Sequence, residues 1–150
     1  MNLFLYKKVF YNRCMKLRLD EYIEAPSLPG FTPYSIYIIE VNNQEVGRIV
    51  WRLGNDEEHY YDGHIGYHIE EEYRGHHYAY QACLLLKDQI IKDGYDHVLL
   101  TCDPDNIASR KTIEKLGAIF IERKEIPRTL RKMFSKDERV KNIYRWEMKS

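Results

Sequence analysis

The sequence predicts an α/β (α+β) chain in which a twisted mixed β-sheet is flanked by helices. Three observations carry this expectation. The stretches YSIYIIEV (34–41) and EVGRIVWRL (45–53) are dense in β-branched and aromatic residues and flank the polar Asn42-Asn43-Gln44, which reads as a β-hairpin. Between 75 and 92, Ala79, Ala82, Cys83, Leu86 and Ile90 recur at three- and four-residue spacing, the signature of a helix with one buried stripe. DPDNIASRKTIEKLG (103–117) carries both ends of a second helix: a polar cap and an early proline at its start, Lys115 in its last turn and Gly117 just past it.

The remaining elements follow in order. A first strand is plausible at 15–23, the hairpin occupies 34–53, and the acidic GNDEEHYYDG that follows is a loop. GHIGYHI alternates as a strand over 63–69, and Gly94 stops the helix that comes next. HVLLTC (97–102) is a short apolar run of the kind found in a buried strand. AIFIE (118–122) is a further strand, 123–139 is charged and irregular, and NIYRWEM (142–148) closes the sheet. From residue 34 the order is β-β-β-α-β-α-β-β.

Composition narrows the function. With 23 basic and 23 acidic residues the chain has no net field favouring nucleic acid or an anionic membrane, so neither is expected as a partner. Thirteen tyrosines suit a pocket whose walls are half apolar and half hydrogen-bonding. Cys14, Cys83 and Cys102 are odd in number and widely spaced, which argues against a disulfide framework and for a reducing compartment. Lys7 and Lys8 interrupt the N-terminal apolar run, making a poor secretory signal, and no stretch approaches the roughly 18 apolar residues of a membrane helix. The expected location is the cytoplasm.

Two segments carry chemistry. In the first, a strand and an acidic turn lead into Arg74-Gly75-His76-His77-Tyr78-Ala79 at a helix start. Unpartnered N–H groups and the positive end of the macrodipole make such an end a docking place for a diphosphate. In the second, HVLLTC leads to Asn106-Ile107-Ala108-Ser109, where helix capping by Asn106 is the simplest role.

Together, HIGYHIEEEYRGHHYAYQA and VLLTCDPDNIASRKTIEKLGA resemble the acetyl-CoA-binding core of the GNAT superfamily of N-acetyltransferases, over residues 63–122. That family's signature is Arg/Gln-x-x-Gly-x-Gly/Ala after a strand, then a strand and an Asn-x-x-Ser/Ala helix ending in Glu-Lys-x-Gly. The resemblance implies one GNAT domain over 1–150, with about six to seven strands splayed apart between the strands 63–69 and 97–102. Acetyl-CoA would be the cosubstrate, with no metal. Backbone groups of Tyr67, His68 and Ile69 would hold the pantetheine arm. Arg74, Gly75, His76, His77, Tyr78, Ala79 and Tyr80 would cradle the pyrophosphate. Asn106, with Ser109 beside it, would border the thioester. An amine attacks the thioester directly in such enzymes, and a base takes its proton.

The chain departs from the pattern in three places. His77 replaces the middle glycine, at a position where a helical φ would tolerate any L-residue. Ile113 stands where many members carry a tyrosine that protonates the leaving thiolate, so Ile113→Tyr is expected to be tolerated and to raise turnover. Residues 24–33 leave little room for the two helices that usually build the acceptor pocket, which would then be shortened, or rebuilt using residues 1–14.

His64 is the candidate base, if His64, Gly66 and His68 share a strand face that looks into the cleft. A metal bridging His64 and His68 is implausible, since four residues of strand separate them by roughly 13 Å. Cys102 reads as a buried inert thiol rather than an acyl carrier. Asp56, Glu57, Glu58 and Asp62 would give the acceptor mouth a negative rim, so a cationic amine is the expected acceptor. A homodimer is the candidate assembly. The rival reading is a CoA-binding sensor or interaction module of the same fold, supported by His77 and Ile113.

Overall fold

The computed structural model describes residues 9–11, 14–26 and 31–149. Most of the N-terminal segment to which a part in the acceptor pocket is ascribed, residues 1–8 and 12–13, lies outside the described residues.

The strands are β1 (Val9–Tyr11), β2 (Met15–Ile23), β3 (Tyr34–Val41), β4 (Gln44–Arg52), β5 (Ile65–Ile69), β6 (His97–Cys102), β7 (Ile119–Glu125) and β8 (Val140–Glu147). The helices are α1 (Tyr78–Lys92) and α2 (Ile107–Lys115), with 3₁₀ turns at Glu71–Tyr73 and Arg128–Met133. The predicted hairpin is β3–β4. Its turn is narrower than expected, because Asn42 and Asn43 alone take the positive φ values, 51° and 64°, that a tight two-residue turn needs. The segment read as irregular after 122 instead extends β7 to Glu125 and forms the second 3₁₀ turn.

The sheet is divided. Strands β1-β2-β3-β4-β5 form one antiparallel sheet and β6-β8-β7 another. Among the described residues no ladder joins β5 to β6. Contact is made just before β5, where the His64 N–H donates to the Leu99 carbonyl at 2.9 Å. Gly63, with φ +76°, brings the chain in so closely that a Cβ there would lie 3.2 Å from the Leu99 oxygen and 3.3 Å from the Thr101 nitrogen. Beyond this seam the two sheets part, and the opening between them is the cleft.

One core lies behind the cleft. Leu17, Ile39, Ile49 and Trp51 of the larger sheet meet Val98, Leu100 and Trp146 of the smaller one, and α1 covers both. The predicted stripe Ala79, Ala82, Cys83, Leu86 and Ile90 is the buried face of α1. Trp51 donates from Nε1 to the Asp93 carboxylate at 2.7 Å, so its indole is both packed and satisfied. Among the described residues no helix is long and apolar enough to cross a membrane.

α2 contributes a single buried residue, Ile113, which is 1% exposed in this core. Its side chain therefore points away from the cleft, and a tyrosine there would have to enter a filled interior. This packing counts against the expectation that Ile113→Tyr is tolerated. The variant should instead lose about 1–3 kcal/mol of stability through overpacking, read as a lower urea midpoint at unchanged m-value.

Candidate active site

Two cavities open along the cleft. The smaller, about 560 Å³, lies between β5, the start of α1 and α2. Its walls carry Arg74, Lys111, Lys115, His68 and His77 and include no acidic side chain. α1 begins at Tyr78 rather than at Gly75, because Gly75 (φ +92°) and His77 (φ +60°) turn the chain through left-handed conformations first. No side chain caps this end, and Gln81 is the first residue whose N–H bonds back, to the His77 carbonyl at 3.1 Å. The N–H groups of Tyr78, Ala79 and Tyr80 are the unpartnered donors of a first helical turn. An acid-free wall, two α2 lysines and an open helix end suit a diphosphate.

The expected cradle is only partly reproduced. Tyr67, His68, Ile69, Arg74, Gly75, His77, Tyr78 and Ala79 line this cavity, whereas His76 and Tyr80 do not. The His76 ring stacks on Tyr78 with centroids 5.2 Å apart, and the Tyr80 ring sits under the Lys115 ammonium at 5.0 Å. Arg74 Nε donates to the Ile69 carbonyl at 2.9 Å, so it braces the end of β5. Lys111 and Lys115 were missed in the sequence because on α2 they read as ordinary solvated charges. Their facing the cavity depends on how α2 is docked.

His77 requires a correction. Its φ is not helical but left-handed, the region a glycine occupies without strain. A glycine would take this conformation without the strain that His77 bears. Gly75 is likewise conformational, for a Cβ there would meet nothing within 4 Å.

The larger cavity, about 1030 Å³, lies between the loop 54–63, the end of β6 and the 3₁₀ turn at 128–133. Its charges are largely paired. Lys141, 8% exposed at its side chain, is 2.9 Å from an Asp103 oxygen and 2.5 Å from a Glu138 oxygen. Burial lowers its pKa, but the two carboxylates outweigh burial and hold it above the ordinary value. Phe31 and Met133 stand on the rim, 55% and 65% exposed.

Three histidines anchor the loop above this cavity. His59 is buried, with Nδ1 3.0 Å from an Asp62 oxygen and Nε2 2.7 Å from the Leu53 carbonyl. Both of these partners only accept, and the Thr32 hydroxyl, 2.9 Å from Nε2, can accept as well, so the partners suit an imidazolium. His97 is gripped the same way, Nε2 2.8 Å from Asp56 and Nδ1 2.6 Å from Asp96. In both, burial pulls the pKa down, but the carboxylate bonds win and the pKa is raised.

His64 is the opposite case, and it corrects the proposed base. It is fully buried; its Nδ1 accepts from the Leu99 N–H at 3.0 Å and its Nε2–H donates to the Gly54 carbonyl at 3.0 Å. Burial lowers its pKa, and a proton on Nδ1 would face an N–H. Neither nitrogen has a lone pair left for a substrate. The three residues of the supposed face do not share one environment either: His64 is buried, Gly66 lines the larger cavity and His68 is exposed.

Tyr67, Asn106 and Ser109 line both cavities, so they mark the junction. Asn106 caps α2, its Oδ1 accepting from the Ser109 N–H at 3.2 Å. The Tyr67 hydroxyl reaches across from β5 and lies 2.8 Å from Ser109 Oγ. Cys102 lines the larger cavity near this point, and burial raises its thiol pKa, as suits an inert thiol. Among the described residues no group of three metal-ligating side chains is present.

Comparison with known proteins agrees with this geometry. The acetyltransferase (GNAT) domain model matches residues 14–119, so the chain belongs to the GNAT acetyltransferase family. No curated protein matches the sequence. Among solved structures, apo RimL, a ribosomal L7/L12 alpha-N-protein acetyltransferase, superposes with a TM-score of 0.70 at 15% identity, over 95% of this chain and 99% of that one. An acetyltransferase from Salmonella typhimurium that modifies the N-terminal serine of ribosomal protein L7/L12 gives 0.68 at 12% identity, over 93% and 99%. The microcin C7 self-immunity acetyltransferase MccE, in complex with acetyl-CoA and AMP, gives 0.59 at 18% identity, over 76% and 61%. At these identities the likeness is one of fold.

Two outcomes follow from the histidines and His77. Stability held by His59 and His97 is complete below about pH 6.5 and is lost as pH rises through their raised pKa values. Stability held by neutral His64 is complete above that pH and declines as pH falls toward its lowered pKa. Denaturant midpoints should thus fall on both sides, and His64→Gln should cost about 1–3 kcal/mol by stranding buried partners. His77→Gly should raise the melting temperature, relieving about 1 kcal/mol of left-handed strain.

Proposed function

We propose that this protein transfers the acetyl group of acetyl-CoA to an amine by direct attack, within one GNAT domain acting in the cytoplasm. The observation that carries this is the meeting of an acid-free, cation-lined cavity with a larger solvent-open one at Tyr67, Asn106 and Ser109. Bound acetyl-CoA would supply the activated acetyl thioester. Its diphosphate would be held by the Tyr78–Tyr80 N–H groups, with Arg74, Lys111 and Lys115 around it. The amine would enter through the larger cavity.

With both nitrogens of His64 and of His59 engaged, no histidine of the loop is offered as a base. The proton leaving the amine is assigned to water admitted by the open acceptor cavity. A cationic acceptor has less support than the acidic loop suggested. Asp56 is paired with His97 and Asp62 with His59, and Glu58 closes a reciprocal cap with Asn55. Glu57 and Glu58 keep their charge on the rim, beside the apolar Phe31 and Met133. A homodimer is supported by the edge strand β7, which leaves Ile119, Phe120 and Ile121 from 44% to 60% exposed.

Thiol release from acetyl-CoA against a panel of small amines, polyamines and peptides tests the reading. Turnover with at least one amine is expected, whereas tight acetyl-CoA binding without turnover would favour the sensor role. In the active case, His64→Gln should keep its acidic pH–rate limb while losing stability. Glu57→Gln should raise KM for polyamines more than for neutral amines; an equal effect on both would remove charge from the selection.

A further inference from the structure

We propose that the Tyr67 hydroxyl is the proton donor to the departing thiol, set in place by Ser109. The inference rests on the acetyl-transfer reading above and adds to it a residue whose expected part was confined to its backbone.

The transfer needs such a group. As the amine nitrogen forms its bond to the thioester carbon, the carbon–sulfur bond breaks and its electron pair passes to sulfur. One proton leaves nitrogen and one must reach sulfur. Ile113, at the place in α2 where a donor was expected, faces the core and is 1% exposed. The proton for sulfur then comes either from another wall of the junction or from water.

Tyr67 meets the geometric requirement. It lies on the last strand of the larger sheet, whose partner β4 occupies the other edge, so the side chain spans the opening toward α2. Its hydroxyl ends 2.8 Å from Ser109 Oγ, and both residues line both cavities. In a pair of hydroxyls one proton is used between the oxygens and the other is left for a ligand. With Ser109 donating to Tyr67, the phenolic proton is the free one. The Ser109 hydroxyl, with that of Thr112 close by, then stabilises the oxygen as it gives the proton up.

The side chain is also held in its protonated form. Burial is the main cause of a raised phenol pKa, which Ser109 and Thr112 only partly offset. A donor of this kind acts late, bonding to sulfur as charge develops there, and is restored by a proton from water in the larger cavity. Overall, nitrogen loses a proton to water, sulfur gains one from Tyr67, and Tyr67 regains one from water.

Tyr67→Phe keeps the ring that packs against the core and removes only the hydroxyl. CoA affinity by calorimetry should stay within about twofold while kcat falls by about 10²-fold. Ser109→Ala should lower kcat by about tenfold through loss of the orienting bond. The readout independent of turnover is the thiol titration of bound CoA, followed by thiolate absorbance in the ultraviolet. A hydroxyl bonded to sulfur stabilises the thiolate, so it should form at lower pH on the native protein than on Tyr67→Phe. Identical titration curves, with both proteins binding CoA and melting alike, would overturn the role of Tyr67 and leave acetyl transfer standing. Failure of the native protein to bind CoA would overturn both.

Discussion

Everything in the cleft depends on a single seam, the contact of His64 with Leu99. Two sheets with complementary apolar faces would bury most by lying edge to edge along their length. Here the edges meet where the His64 N–H reaches the Leu99 carbonyl and the Leu99 N–H returns to the His64 ring. The imidazole supplies an acceptor at the point where a strand backbone would otherwise have continued the ladder. Its far nitrogen is tied to Gly54, which anchors the loop 54–63 to the same point. Past that point neither strand edge has a partner on the other sheet, and a ligand can be received between them.

The larger cavity is bordered by charged contacts more than by apolar packing. His59 with Asp62, His97 with Asp56 and Asp96, and Lys141 with Asp103 and Glu138 each place a cation between acceptors. Half-buried pairs of this kind bring a modest net stability, because desolvation offsets part of the attraction. They do define where a loop sits. The result is an opening with charged groups on its rim, several of them paired.

The two cavities differ in how they are made. The smaller uses backbone: an uncapped helix end reached through Gly75 and His77, with lysines contributed by the facing helix. The larger uses side chains from the loop, from β6 and from the 128–133 turn. Backbone donors are fixed by the fold, whereas side chains vary with sequence.

Local pattern determined a great deal. The α1 stripe, the β3–β4 hairpin, both ends of α2 and the two motifs flanking the cleft are legible because each depends on residues a few positions apart. The tertiary structure decided the rest, because it turned on groups distant in sequence. Strand alternation alone could not tell that His64 would meet Leu99 and be consumed there, nor that Ile113 would turn inward. The left-handed φ of His77 is invisible without the turn around it. Tyr67 and Ser109 are 42 positions apart and become a pair only when β5 and α2 close on the same gap. The pattern of one element fixes which of its faces is apolar; which polar groups meet across a cleft is settled by how the elements dock.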